Sequence, residues 1–308
     1  MPAPLTEFNS GTLASVLLAG DDTLVGNAGN DILNGHGGRD FYSGNGGNDV
    51  LVLDADTVIG PGNGGQYGFG NGGPGFDTIM ALGSADLNIY YLLQVDALTF
   101  AGNTDSEVKF SGNKLSPALT SNFKITGDSH ANTVSFAASS GFTIEADLSG
   151  FTFADWSNAD KVKLSGGSRD DTLIGSKIGD IIKGGAGEDT LTGGRGKDIL
   201  TGDAGPDFFD FNSIKESVKG GQRDVITDFK RSQGDKIDLK GIDAKTGVSG
   251  NQKFAWIGKD DFSGVKGELR YKDLGAKVIV QGDVNGDGKA DFEILVKTAS
   301  LNAGDFLL

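Results

Sequence analysis

No cysteine occurs among the 308 residues of the chain, which excludes disulfides, thiolate metal sites and cysteine nucleophiles. Histidine occurs only as His36 and His130, and neither stands in an H-E-x-x-H motif, so a zinc protease of that type is excluded. No apolar run approaches the roughly 18 residues that a membrane-spanning helix needs, and helical periodicity is nearly absent; Ser213 to Val218 is the one short stretch that suits a helical turn or two. Positive charge is scarce as well. The 27 Lys and Arg face 42 Asp and Glu, and the resulting net charge of -15 disfavours nucleic acid or an anionic membrane and favours cations as partners. The opening MPAPLTEFNSGTLASVLLAG lacks a basic n-region and is not read as a Sec signal. With 37% hydrophobic residues, a conventional core is not assured for a chain of this length.

What the chain has in excess is glycine, 51 residues, and much of it is periodic. The stretch GGAGEDTLTGGRGKDILTG, from Gly184 to Gly202, is two nine-residue units end to end. Around it, Asp171, Asp180, Asp189, Asp198 and Asp207 recur in strict register; Asp22, Asp31, Asp40 and Asp49 repeat the spacing near the N-terminus, and Asp77 centres a further copy, GGPGFDTIM. Two glycines per unit, at positions one and four, are expected to allow positive φ and a tight turn in which carbonyls converge. These are Gly26 and Gly29, Gly35 and Gly38, Gly44 and Gly47, Gly184 and Gly187, Gly193 and Gly196, and Gly202 and Gly205. The aspartate at position six adds a hard anionic oxygen. Oxygen ligands without nitrogen or sulfur suit calcium, and several calcium ions are the expected cofactors.

After each aspartate comes a minimal strand, such as Thr190-Leu191-Thr192, whose central residue is expected to point inward. Leu24, Leu33, Tyr42, Leu51, Leu173, Ile182 and Phe209 hold the equivalent position. One buried side chain per unit returns less free energy than ordering nine residues costs, so the fold is expected to depend on the ion. Between the arrays, short alternating runs such as SEVKF, NFKIT, NTVSF and FTIEA read as strands joined by tight turns.

These units match the pattern G-G-x-G-x-D-x-U-x and resemble the repeats-in-toxin (RTX) family, which folds as parallel β-rolls. The resemblance implies that loops eighteen residues apart stack on one side and share calcium. Asp171, Asp189 and Asp207 would then line one edge and Asp180 and Asp198 the other, with Asp22 and Asp40 opposing Asp31 and Asp49. Position four is Arg169 in the unit from Gly166 and Ile178 in the unit from Gly175, where Lys177 also intrudes, so these two loops are weaker candidates. From Asp207 onward, FFDFNSIKES, RDVITDF, GDKIDLKGIDA, GDVNGDGKADFEIL and LNAGDFLL resemble the C-terminal domain of the serralysin metalloproteases. That resemblance implies secretion from a Gram-negative bacterium by a type I exporter, with Asp305-Phe306-Leu307-Leu308 in the form of the export signal. As this tetrapeptide supplies no array ligand, its removal is expected to abolish or sharply reduce export and to leave calcium-dependent folding largely intact.

The expected fold is all-β: a right-handed parallel β-roll or β-solenoid with two RTX stacks and a serralysin-type C-terminal β domain. Its expected divisions are 1–80, the first roll; 81–165, a solenoid-like middle; 166–210, the second roll; and 211–308, the C-terminal domain. A separate metal candidate is Asp283, Asn285, Asp287, Lys289 and Asp291, an EF-hand-like loop without the distal Glu; an Asx-rich hairpin turn is the alternative. GDSH, from Gly127 to His130, resembles the start of a GDSL-type hydrolase block without its later His and reads as a polar turn. Gly68, Gly70 and Gly73 fit G-x-G-x-x-G, but no helix follows. His36 reads as a surface-loop residue. Trp156 and Trp256 read as packing residues, with Trp156 also a candidate sugar platform. Asp155, Asp160 and Glu145 read as solvated carboxylates, and no catalytic set is assigned. The leading expectation is a secreted calcium-binding protein without catalytic activity, acting in the extracellular matrix, at a host or cell surface or on an extracellular polysaccharide. The alternatives are a polysaccharide-acting enzyme and the C-terminal part of a larger secreted enzyme.

Overall fold

A computed structural model describes residues 22–36, 40–53, 69–88, 92–112, 119–138 and 141–308. Among these, regular structure is all β apart from short 3-10 turns. The chain divides into two compact units, Met1–Ala137 with Gly150–Lys163, and Ala138–Ser149 with Leu164–Leu308.

In the first unit the three-residue strands that follow each aspartate stack in parallel. Thr23–Val25 lies beside Phe41–Ser43, and Ile32–Asn34 beside Val50–Leu53, each in eighteen-residue register. A residue that is central in one strand therefore sits on the central residue of the next. Leu33, Leu51, Ile79 and Leu98 form one such buried column, and Leu24 and Tyr42 begin another. Farther on, Glu107–Ser111 pairs with Thr133–Ala137 and Leu119–Thr126 with Thr152–Ala154, still in parallel. The longer coils there enclose more volume, which Phe110, Phe123, Phe136 and Phe151 fill. Phe110 stacks on Phe136 at 5.2 Å between centroids, and Phe123 lies 5.3 Å from Phe151.

The second unit repeats the plan. Leu173, Leu191, Phe209, Ile237 and Phe306 form one column of buried side chains, and Ile182, Leu200 and Ile226 the other. The inward positions read from the sequence are all buried. The roll then passes into an antiparallel segment, in which Val278–Asp283 pairs with Glu268–Asp273 on one side and Phe292–Val296 on the other.

The terminal tetrapeptide corrects one expectation. Phe306–Leu307 is the last strand of its sheet, parallel to Lys236–Asp238. Phe306 is buried 4.8 Å from the Trp256 ring, and Asp305 is buried with both carboxylate oxygens 2.6 Å from the Arg231 guanidinium. These residues are part of the fold, so their removal cannot leave folding untouched.

Candidate metal centre

The aspartates form hydrogen-bonded files. Within each file the N–H of one aspartate donates to Oδ1 of the aspartate one coil later: Asp22 to Asp40 at 3.0 Å, Asp31 to Asp49 at 2.9 Å, Asp171 to Asp189 at 2.8 Å and Asp180 to Asp198 at 2.7 Å. Asp189 continues to Asp207 at 3.2 Å. The structure thus brings Asp171, Asp189 and Asp207 into one file and Asp180 and Asp198 into another. Asp77 joins Asp31 and Asp49, although its coil step is 28 residues.

The second carboxylate oxygen separates two kinds of loop. In the first kind, the position-two N–H donates to it: Asn27 to Asp31 at 2.7 Å, and Gly167 to Asp171 and Ser176 to Asp180 at 2.6 Å each. In the second kind, Oδ2 is buried without any hydrogen-bond partner, as in Asp49, Asp77, Asp189, Asp198 and Asp207. These five loops all have positive φ at positions two and four: Asn45 and Gly47, Gly73 and Gly75, Gly185 and Gly187, Gly194 and Gly196, Asp203 and Gly205. The sequence had suggested positive φ at positions one and four. Position one is glycine for another reason: a Cβ at Gly184, Gly193 or Gly202 would collide with the carboxylate of Asp189, Asp198 or Asp207.

Gly26, Gly35 and Gly44 stand in the same way against Asp31, Asp40 and Asp49. A Cβ at Gly205 would meet the carbonyl oxygen of Gly187, and at Gly75 that of Gly47, so each carbonyl lies close against the backbone of the next loop there. Gly29 meets the Asn27 side chain instead. Asp40 accepts from the Tyr42 hydroxyl at 3.1 Å, and Asp22 keeps a buried unpartnered oxygen. Gly38 lies outside the described residues.

Sequence reasoning missed Asp224. It lies outside the nonapeptides, is fully buried, accepts the Asp198 N–H at 2.9 Å and has an unpartnered Oδ2. It extends the Asp180–Asp198 file by one step. The step is 26 residues, so no nine-residue register reveals it.

A buried carboxylate oxygen without a donor is costly unless a cation faces it. Among the described residues no three Asp, Glu or His side chains cluster closely enough to hold a metal alone. A cation between these loops must therefore take one or two carboxylates plus backbone carbonyls, an all-oxygen set that fits calcium. Burial pushes the Asp189 carboxyl up to about 6 and that of Asp207 to about 7. Asp198 and Asp224 are raised by burial and then by neighbouring negative charge, for Asp198 chiefly that of Asp224. A carboxyl raised in the fold above its ordinary 3.8 stabilises the metal-free fold below that value, and this stability is lost as pH rises through 6 to 7. Calcium-free protein is thus expected to gain β structure on acidification from pH 8 to about 5, and calcium affinity to fall over the same range as protons compete. Circular dichroism of calcium-depleted protein checks this; a signal independent of pH would contradict it.

The 283–291 loop is differently made. Asp283 accepts from the Gly286 and Gly288 N–H groups at 2.7 and 2.8 Å, Asn285 from Asp287 N–H at 2.8 Å, and Asp287 from Lys289 N–H at 2.9 Å. Asp291 accepts from Val284 N–H at 2.8 Å and from the Asn285 side-chain amide at 2.7 Å. These side chains are held by the loop's own donors, the arrangement of an Asx-rich hairpin turn.

The RTX calcium-binding nonapeptide repeat (4 copies) matches residues 18–51, and the Peptidase M10 serralysin C terminal matches residues 147–308. Among solved structures, the AlgE6R3 subunit from the Azotobacter vinelandii mannuronan C5-epimerase is 26% identical over 46% of this chain and 78% of its own, with a TM-score of 0.27. The AlgE6R2 subunit from the same epimerase is 18% identical over 70% of this chain and 92% of its own, with a TM-score of 0.21. No curated protein sequence matches the chain. With more than half its length matched, the chain belongs to the serralysin C-terminal family and carries the calcium-binding nonapeptide repeats of the RTX proteins.

Proposed function

We propose that this protein is exported by a type I system and works outside the cell as a calcium-folded binding protein without catalytic activity. The observation that carries the reading is the coincidence of left-handed loops with orphaned, buried aspartate oxygens, five times over two arrays. Each such loop is a cation seat in the folded state and a source of like-charge repulsion without the cation. The serralysin-type C-terminal region supports type I export, because its family is typical of that route. The working division is 1–80 and 166–210 for calcium, 81–165 as the solenoid surface between them in sequence, and 211–308 for the C-terminal domain.

Calcium titration of folding tests the seats individually. Asp189→Ala and Asp198→Ala remove carboxylates whose Oδ2 has no protein partner, and each is expected to raise the calcium midpoint roughly three- to tenfold. Asp180→Ala removes a carboxylate already held by Ser176 and is expected to shift it by less than about twofold. Equal shifts for all three would contradict the distinction between the loops. The function itself is tested by expressing the chain with a type I exporter and incubating the exported, folded protein with uronate polysaccharides. Retention in the cell would refute the export route, and conversion of the polymer would refute a non-catalytic role.

A further inference from the structure

One loop outside both matched regions shares the plan of a nonapeptide without its spacing. The Gly127 N–H donates to the Ala154 carbonyl at 2.9 Å, as Gly166 and Gly175 donate to Lys183 and Thr192 at 2.8 Å. Five residues later, the Asn132 N–H donates to Asp160 Oδ1 at 2.7 Å, the same bond that links Asp171 to Asp189. The strand Thr133–Ala137 then begins. The coil step is 28 residues, the sixth position is an amide, and the carboxylate has moved to position two, as Asp128.

The oxygens of this loop are unequally used. Asp128 Oδ1 accepts from the His130 N–H at 2.8 Å and the Asn132 side-chain amide at 3.0 Å, and lies 3.2 Å from His130 Nδ1. Its Oδ2 is buried and has no partner. Asn132 is fully buried, and its Oδ1 also has none. The orientation of that amide is fixed, because Nδ2 faces both Asp128 Oδ1 and, at 3.2 Å, the His130 carbonyl; exchanging its oxygen and nitrogen would set oxygen against oxygen. Two hydrogen-bonded neighbours thus each bury an oxygen that no proton donor satisfies. The next coil brings a carbonyl close by: a Cβ on Gly127 would lie 2.5 Å from the oxygen of Asp155, a residue held at φ 50.

We propose that the 127–132 loop holds a calcium ion of its own, outside the nonapeptide arrays, with Asp128 Oδ2 and Asn132 Oδ1 as ligands and backbone carbonyls completing the shell. The choice of ion rests on the calcium reading of the arrays; the pair of unsatisfied oxygens does not. One carboxylate, one amide oxygen and carbonyls form the hard, mostly neutral set that calcium accepts and that a softer metal does not prefer.

Trp156 provides a reporter that separates this site from the arrays. Its ring reaches to 3.4 Å from the Cβ position of Gly127 and is held there by Phe153 and Phe100, at 5.4 and 6.2 Å between centroids. Terbium, which takes calcium's ligands, emits when a nearby indole is excited. Full-length protein folded in millimolar calcium is titrated with terbium under tryptophan excitation. Emission should vanish in Trp156→Phe and persist in Trp256→Phe and in the array variant Asp198→Ala. Asp128→Asn should weaken terbium binding about tenfold, and Asn132→Ala, which removes the amide oxygen, should weaken it severalfold. The Asn132→Ala result decides the matter if Asp128→Asn fails to fold. Emission indifferent to both loop substitutions, or absent from wild type because the loop holds only water, overturns the proposal. Loss of calcium-dependent folding with Trp156-sensitised emission intact would instead count against the arrays alone.

Discussion

Stripped of calcium at neutral pH, the purified protein is expected to lose its β-sheet circular dichroism and regain it with a midpoint on the order of 0.1 to 1 mM calcium, the range of extracellular calcium modules. The reason lies in the files. Asp189, Asp198, Asp207 and Asp224 each bury an oxygen that nothing donates to. Asp180, Asp198 and Asp224 stack in a single column, where each charge raises the cost of the next. Against this the arrays set one buried aliphatic or aromatic side chain per unit, such as Leu173, Ile182, Leu191 and Leu200. That burial is too small to hold ionised carboxylates in file without a counter-charge. Aromatic packing of Phe110, Phe123, Phe136 and Phe151 gives the middle coils a larger apolar core, so any structure that survives chelation should be found there. Hydrogen exchange resolves the two: array amides should exchange freely in chelator while those of Glu107–Ser111 and Thr133–Ala137 keep more protection. An unchanged spectrum in chelator would refute calcium-dependent folding.

Removing Asp305 to Leu308 is expected to lower the melting temperature in saturating calcium by about 10 °C, on the usual scale of a large buried aromatic deletion. Phe306 ends the Leu173–Leu191–Phe209–Ile237 column and covers Trp256, which also stacks on Tyr271 at 5.8 Å. Asp305 meets Arg231 with two charge-assisted bonds and, with Asn302, closes a capping box around the final turn. Phe306→Ala should reproduce most of the loss and shift Trp256 emission to the red as water reaches the ring. An unaltered melt for both variants would show that the terminal strand contributes nothing to the fold.

Much of this architecture was legible because the coil length in the arrays is constant. A nine-residue register carries both the inward residue and the aspartate, so the Asp171–Asp189–Asp207 and Asp180–Asp198 files and the columns through Leu173 and Ile182 could be read directly. Where the coil lengthens, the local geometry survives and the register does not. Asp224 lies 26 residues after Asp198, and Asn132 and Asp160 lie 28 apart, so neither file step shows in the spacing. The division between satisfied and orphaned carboxylates was only half visible. Arg169 and Ile178 marked two weak loops, but the unit of Asp31 has glycine at position four and still turns its Asn27 amide onto the carboxylate. In the sequence the tail shows only as an address, because its burial depends on Arg231 and Trp256, which are distant along the chain.

Calcium anomalous scattering from crystals grown in millimolar calcium tests the central claim most directly. Peaks are expected within about 2.3 to 2.6 Å of Oδ2 of Asp49, Asp77, Asp189, Asp198, Asp207 and Asp224, with backbone carbonyls completing each shell. Peaks beside Asp31, Asp171 and Asp180, with none beside Asp189 and Asp198, would contradict it.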